Sequence, residues 1–379
     1  MSGTPVSIVA VATAVAAAVT VIVVVYCSLV VLMLTRPRVM SWFLFAHWLR
    51  GVPYFAPAPS ASNLVYQRMA SFARNISILT PDGALVRGWH ILSPGRDAVR
   101  ASEKATDSAA RERLFDEVLG RCHVRDGKTR GSPELCTSIT PRRVILFFHG
   151  NALDRSWPNR VAIVQFLAAH LGAQVLAIDP RGYGDSEGVP SEDGLAIDAE
   201  SVYRWLCGEP SALPDLDDLC VLSPDTHLIL YGQSLGTAVV TRLAEKLSEK
   251  GRAPRALILD APFTSMPDAL LDHPGAAPFR ILPSLVWGRL ISKLPDCFPT
   301  ARRISRVACP VLILHGTHDR KIGISQGRSL FKTAQAAGVK VQMREFFGAH
   351  HADCFAHPEY LAVLENFLAN IGAPTGRPL

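Results

Sequence analysis

The stretch that decides the fold of this chain is residues 228–236, LILYGQSLG, and a helix-forming run begins at Thr237. Its apolar start predicts a buried strand, and the pattern Gly-x-Ser-x-Gly predicts a sharp turn into the following helix. Side chains at positions 232 and 236 would collide with neighbouring backbone in such a turn, which explains both glycines. The turn strains Ser234 and exposes its hydroxyl, so the strand–turn–helix context predicts a nucleophilic serine.

Short apolar runs alternate with helical segments through the rest of the chain. Strands are predicted at 85–92, 144–148, 174–178, 227–231, 256–259, 311–314 and 339–346, and helices near 154–171, 192–207, 236–250, 324–337 and 358–370. Continuous apolar runs are typical of strands that are buried on both faces of a parallel sheet. The alternation predicts a doubly wound α/β fold, with functional groups on loops at the carboxyl ends of the strands.

Composition excludes several classes of protein. The formal net charge of +6 is modest, and no dense Lys/Arg stripe with interleaved aromatic residues is present, so no nucleic-acid partner is expected. The eight cysteines are scattered without a Cys-x-x-Cys pair, which indicates neither a zinc site nor a dense disulfide framework. His315 and His318 lie without a complete ligand set, so we expect loop histidines and no metal.

A nucleophilic serine needs a general base and an acid that orients this base. Enzymes with this turn carry the three groups in the chain order serine, acid, histidine. Asp319, just past a predicted strand, is the favoured acid, and Asp260, at the end of the preceding strand, is the alternative. His350 and His351 both follow the last strand, and only one of them can face Ser234.

An oxyanion hole is predicted from two backbone N–H groups. The first belongs to Leu235, the residue after the nucleophile. The second belongs to Asn151 or Ala152, in the loop that follows strand 144–148. His149, which precedes the turn of this loop, is expected to have a structural role.

Taken together, these motifs resemble the membrane-anchored branch of the α/β-hydrolase superfamily, in particular the lysophosphatidylserine lipase and monoacylglycerol lipase group. The resemblance covers roughly residues 80–370. The most specific pieces are Gly88-Trp89-His90, His149-Gly150-Asn151-Ala152, 179–186 (DPRGYGDS), Gly232-Gln233-Ser234-Leu235-Gly236, Ala261-Pro262-Phe263-Thr264 and His273-Pro274.

The resemblance implies an α/β-hydrolase fold with a mostly parallel central sheet, flanking helices and a helical lid. It assigns the base to His351, while Leu153 stands where the group often has a small residue. It also implies a protein of the endoplasmic reticulum whose catalytic domain faces the lumen.

The N-terminal region predicts an uncleaved membrane anchor. Residues 6–34 form an uncharged, mostly apolar run that is long enough to span a membrane. This run is longer than the apolar core of a cleaved signal peptide, which is the alternative. Aromatic and basic residues at 35–60 predict a juxtamembrane segment at the membrane interface. The positive charge after the span places the catalytic domain in the cytosol, whereas the glycosylation sequon at Asn75 requires the lumen, so the orientation is left open.

The remaining boundaries follow from composition. Residues 1–5 form a short N-terminal tail, 61–372 the hydrolase domain and 373–379 a C-terminal tail. Within the domain, 94–141 is a charged insertion, and 264–305 is rich in proline and large apolar residues, as expected of a lid.

The sequence therefore predicts a single-pass membrane serine hydrolase that forms an acyl-enzyme without a cofactor or metal. Its expected partners are the bilayer and a single-chain lipid ester, a lysophospholipid or a monoacylglycerol. Alternatives are an S9-like serine peptidase or protein depalmitoylase with the same three residues, and an inactive membrane-tethered scaffold.

Overall fold

A computed structural model describes residues 8–36, 45, 73–92, 143–208, 227–273 and 298–371. The charged insertion 94–141 and the segment 35–60, apart from Thr35, Arg36 and Phe45, lie outside the described residues. Of the predicted lid, only 264–273 and 298–305 are described.

The N-terminal region forms one helix, α1 (Ile8–Thr35), of 28 residues. Its apolar part, Ile8–Leu29, is long enough to cross a membrane, and none of it is buried against the rest of the protein. A helix that is apolar on all sides and contributes no residue to the described core is a candidate membrane span.

The centre of the domain is a sheet of eight strands in the order β1-β2-β4-β3-β5-β6-β7-β8. The strands are β1 (Ala73–Leu79), β2 (Leu85–Ile91), β3 (Arg143–Phe148), β4 (Gln174–Asp179), β5 (His227–Gln233), β6 (Ala256–Asp260), β7 (Val311–Gly316) and β8 (Val341–Phe346). Strand β2 pairs antiparallel with both of its neighbours, and all pairs from β4 to β8 are parallel. This mostly parallel sheet confirms the predicted fold class.

Helices cover both faces of the sheet. They are α2 (Pro158–Leu171), α3 (Glu192–Leu206), α4 (Leu235–Glu249), α5 (Met266–Asp272), α6 (Thr300–Ile304), α7 (Ile324–Ala336) and α8 (Tyr360–Asn370). One apolar core packs α3, α4, α6 and α7 against one face, and a second packs α2 and α8 against the other. The strands between these layers are almost wholly buried, as their continuous apolar runs predict.

Candidate active site

The nucleophile turn has the strained geometry that its sequence predicts. Ser234 lies between β5 and α4, with φ of 51° and ψ of −119°. A side chain at Gly232 would bring its Cβ within 2.4 Å of the Gly236 carbonyl oxygen, and one at Gly236 within 2.0 Å of the Phe148 carbonyl oxygen. Only glycine fits both positions, so the serine is held at the carboxyl edge of the sheet on a backbone that cannot relax.

Three polar side chains from separate loops meet at this edge. The Nε2 atom of His351 lies 3.0 Å from Ser234 Oγ. Its Nδ1 atom lies 2.7 Å from Asp319 Oδ2. The structure thus brings together Ser234, Asp319 and His351 in one hydrogen-bonded chain, although they follow three different strands, β5, β7 and β8 respectively.

Backbone donors fix the Asp319 carboxylate from behind. The N–H groups of Lys321 and Ile322 donate to Oδ1 over 2.8 and 3.0 Å, which leaves Oδ2 for His351. Burial raises the pKa of Asp319, but the hydrogen bonds from His351 and these two N–H groups outweigh burial and lower the pKa overall. The carboxylate is therefore ionised at neutral pH and holds the imidazole in one orientation.

Asp260, the alternative acid, takes no part in this chain of contacts. Its Oδ2 atom accepts a hydrogen bond from the Tyr231 hydroxyl over 3.2 Å, and this hydroxyl also lies 2.8 Å from that of Tyr360. Its backbone oxygen accepts the N–H of Ser234 over 2.9 Å. Asp260 thus holds the turn that carries Ser234 through its backbone oxygen.

The other histidines near Asp319 have other neighbours, although Nε2 of His315 lies 3.6 Å from Asp319 Oδ2. Nδ1 of His350 lies 3.1 Å from the carbonyl oxygen of the exposed His318. His315 lies inside β7 rather than in a loop, which corrects that expectation. It is fully buried, its Nε2 lies 3.0 Å from the Ile322 carbonyl oxygen, and burial lowers its pKa.

The loop after β3 passes directly against the nucleophile. A Cβ added at Gly150 would lie 3.1 Å from the Ser234 Cβ, so the backbone next to Asn151 and Ala152 is in contact with the serine. Leu235 is the first residue of α4, where a backbone N–H has no partner within the helix. The positive end of the α4 dipole points at the same place, which favours a developing negative charge there.

Leu153 closes this loop with a left-handed backbone, at φ of 63°. Glycine, which has no Cβ, would adopt this conformation at lower cost.

Arg160 is a residue of this site that the sequence reasoning missed. Its guanidinium is buried below the loop and donates to the carbonyl oxygens of Asp154, Ala152 and Gly150 over 2.9, 2.5 and 3.4 Å. Burial lowers the pKa of Arg160 to about 10, with Asp179 and Asp154 acting in the opposite direction. A single arginine among the apolar residues of α2 was the available signal.

A buried ionic network also holds the loop after β3. Asp179, at the end of β4, bonds to the guanidinium of Arg155 and also accepts the Arg155 N–H over 2.6 Å. Its Oδ1 atom lies 2.9 Å from Nε2 of His149, which is 2% exposed and whose Nδ1 lies 2.7 Å from the Gly150 carbonyl oxygen. His149 therefore has the structural role that was expected of it.

A mostly parallel sheet with a strained strand–serine–helix turn at its carboxyl edge defines a hydrolase of the α/β type. Comparison with known families agrees: residues 143–280 match the model of the alpha/beta hydrolase fold, and residues 292–370 match that of the prolyl oligopeptidase family. The chain therefore has the α/β-hydrolase fold.

Among curated proteins, the chain is similar to lysophosphatidylserine lipase ABHD12. The zebrafish (Danio rerio) protein is 29% identical over 91% of this chain and 81% of its own length. The Macaca fascicularis protein of that name is 34% identical over 59% of this chain and 55% of its own length. Human protein ABHD12B is 34% identical over 60% of this chain and 60% of its own length. The alignments with the Macaca and human proteins therefore span little more than half of the length of each relative.

Solved structures show the same fold at low sequence identity. The Pyrococcus furiosus esterase Pf2001 is 17% identical, with a TM-score of 0.52 over 85% of this chain and 100% of the esterase. An α/β hydrolase from Vibrio vulnificus is 20% identical, with a TM-score of 0.53 over 78% of this chain and 81% of that protein. Identity this low supports the fold alone.

Proposed function

We propose that this chain is a membrane-anchored serine hydrolase that cleaves the carboxylic ester of a single-chain lipid, a lysophospholipid or a monoacylglycerol. The observation that carries the proposal is the hydrogen-bonded chain of Ser234, His351 and Asp319, with heavy-atom distances of 3.0 and 2.7 Å. A serine, a base and an orienting acid in this geometry are what acyl transfer requires.

The geometry supports a two-stage reaction. His351 Nε2 takes the Ser234 proton, and Oγ attacks the acyl carbonyl carbon. The N–H groups of Leu235 and of Asn151 or Ala152 hold the resulting oxyanion, each donor being worth about 3 kcal/mol in the transition state. His351 then protonates the leaving alcohol, and a water molecule that it deprotonates cleaves the acyl-enzyme and restores Ser234.

Two observations favour a lipid as the acyl donor. Relatives that align over most of this chain are named for lysophosphatidylserine hydrolysis. Helix α1 carries an apolar stretch long enough to hold the catalytic domain at a membrane, where such lipids reside. An endoplasmic reticulum location is part of the proposal, and glycosylation of Asn75, which lies exposed in β1, would report a lumenal catalytic domain.

The experiment that tests the proposal combines labelling and turnover. The Ser234→Ala variant should lose all labelling by a fluorophosphonate and all ester hydrolysis, while its thermal unfolding stays close to that of the wild type. Labelling that persists in this variant and maps to another serine would contradict the assignment of the nucleophile. Wild-type protein that takes no fluorophosphonate would instead indicate the inactive scaffold.

The match of residues 292–370 to the prolyl oligopeptidase family favours one second candidate, a serine peptidase or protein depalmitoylase with the same residues. A substrate panel separates the candidates. We expect turnover of lysophospholipids and monoacylglycerols in microsomes, and a preference for peptide or acyl-protein thioester substrates would select the second candidate.

A further inference from the structure

Exposed apolar side chains collect at one edge of the catalytic domain. Outside helix α1, four large apolar side chains of the described residues are more than a third exposed. They are Trp157, Val189, Leu270 and Phe347, with exposed fractions of 38%, 70%, 36% and 82%; together they are called the apolar edge below.

All four lie in segments that leave the carboxyl ends of strands. Trp157 lies between β3 and α2, Val189 between β4 and α3, Leu270 in α5 after β6, and Phe347 directly after β8. The parallel strands end at one edge of the sheet, which is also the edge that carries Ser234. Exposed apolar groups gathered on one side of a domain indicate a surface that contacts something apolar.

Phe45 ties the chain that follows helix α1 to the same edge. Its side chain is 4% exposed and packs edge-to-face on Phe298, with ring centroids 6.0 Å apart. Its carbonyl oxygen accepts the Tyr183 hydroxyl over 2.7 Å. Tyr183 lies in the loop after β4 and packs on His149, so this contact reaches the loop next to Ser234.

The position of Phe45 in the chain limits how far this edge lies from the end of α1. Phe45 follows Thr35 by ten positions in the chain, and a fully extended segment of that length spans about 36 Å. Docking of Phe45 therefore keeps the active-site edge close to the membrane that α1 would span.

Charge at this edge is compatible with lipid headgroups. Arg320 and Lys321, which follow Asp319, are both exposed and can face phosphate groups. Glu187, at the same edge, lies 3.7 Å from the guanidinium of Arg87.

We propose that the apolar edge docks on the bilayer that holds helix α1, with Phe45 fixing the orientation, so that Ser234 faces lipids of the same membrane. The substrate this implies, a lipid taken laterally from that bilayer, rests on the proposed function. Trp157 and Phe347 supply the aromatic groups that favour the headgroup region, and Val189 and Leu270 add aliphatic contact.

The first test uses photolabelling and requires no activity. The full chain is reconstituted in phosphatidylcholine vesicles with a trace of phosphatidylcholine that carries a diazirine in its acyl chain. We expect labelled peptides that contain Val189 and Phe347, and none that contain Val341, at the opposite end of β8. Labelling confined to α1 would overturn the proposal.

The second test compares two substrates in the same vesicles. The double variant Val189→Ser/Phe347→Ser should lose about tenfold or more of its turnover of a vesicle-borne lysophospholipid, because the edge no longer holds the site at the surface. Its turnover of a soluble short-chain ester should stay within about twofold, because both residues are exposed. The control Gln342→Ser changes an exposed side chain of β8 away from the apolar edge and should change neither rate.

The Phe45→Ala variant tests the tether. We expect the same selective loss on the vesicle-borne lipid, together with faster hydrogen exchange of the loop 181–186. Equal losses on both substrates in the double variant, or unchanged vesicle turnover, would overturn the proposal. A wild-type chain that hydrolyses neither substrate would contradict the proposed function, while the photolabelling would still decide whether the edge meets lipid.

Discussion

In the proposed reaction, the part of Asp319 is to orient His351. Its Oδ1 is held by two backbone N–H groups, and its Oδ2 lies 2.7 Å from the imidazole. A carboxylate fixed in this way selects the tautomer that leaves Nε2 free to accept the Ser234 proton.

The Asp319→Asn variant should keep the fold and lose about 10⁴-fold in turnover, as expected when an amide sets the wrong imidazole tautomer. The measurement is steady-state hydrolysis of a soluble ester, with Asp260→Asn as the matched control. A greater loss in the control would mean that Asp260 is the acid and that the role of Asp319 is structural.

Asp260 has a separate effect, on the pH dependence of stability. Burial raises its pKa to about 6, although His351 and the hydrogen bonds from Tyr231, Cys354 and Gln233 act to lower it. The folded state therefore binds more protons than the unfolded state between the ordinary pKa of 3.8 and the folded value. Stability falls as the pH rises through this window, by about 3 kcal/mol.

The Asp260→Asn variant cannot ionise and should lack this contribution. Relative to the wild type, its free energy of unfolding should rise by about 2 kcal/mol between pH 4 and pH 7. Urea unfolding in detergent micelles at the two pH values gives the difference, in which contributions from other titrating groups cancel. A difference that does not change with pH would show that Asp260 is ionised throughout.

At the scale of elements, the loop after β3 depends on helix α2. Arg160 reaches from the first turn of α2 to three carbonyl oxygens of residues 150–154, which fixes the backbone that lies against Ser234. Loss of a single oxyanion donor costs about 10²–10³ in turnover, and a loosened loop should forfeit part of this.

We expect Arg160→Met to lower kcat about tenfold to a hundredfold on a soluble ester, with a smaller change in KM. Arg143→Met is the matched control, because Arg143 also donates to a carbonyl oxygen, that of Leu171, but at the amino end of β3. Loss of kcat in both variants, in proportion to their lowered melting temperatures, would mean that Arg160 acts only on stability.

The elements show which features a single sequence reveals. The seven predicted strands are present to within about two residues. Most of them are long, buried apolar runs, whereas β8 is half-exposed. Strand β1 was missed: it is an edge strand, and its half-exposed residues, ARNISIL, have no continuous apolar run. Helix α2 begins at Pro158 rather than near 154, because proline disfavours helical backbone in Trp157 and the preceding residues form the loop next to Ser234.

Some residues of the candidate site were predicted from the sequence and others were missed. Ser234, Asp319 and His351 follow from local motifs and from resemblance, since each lies in a short run with a characteristic neighbourhood. Phe45 acts through a contact with Tyr183, which is distant in the chain. Arg160 acts on the carbonyl oxygens of the loop that precedes its own helix, and no side-chain motif marks these partners.

For the molecule as a whole, helix α1 is expected to hold the enzyme in the membrane while the domain folds independently of it. The described core of the domain contains residues from 45 onward and none from α1. A variant without residues 1–36 should therefore be released by alkaline carbonate and keep its turnover of a soluble ester, whereas the full chain should stay in the membrane pellet.

Replacement of 8–29 by a leucine-rich helix of equal length is the control and should restore retention in the pellet. N-terminal sequencing of the mature full chain should begin before Ile8. A mature chain that begins after Thr35 would instead identify the apolar segment as a cleaved signal peptide.

The order of these parts along the chain matters for biosynthesis. A ribosome makes α1 first and His351 only after every strand is complete, and α8, with Tyr360 and Phe367 buried in the core, comes later still. A nonsense mutation between codons 37 and 350 thus yields a product that retains helix α1 but lacks His351. Early and late stop codons should be equally severe for the organism, and a truncated product could still occupy the membrane sites of the intact enzyme.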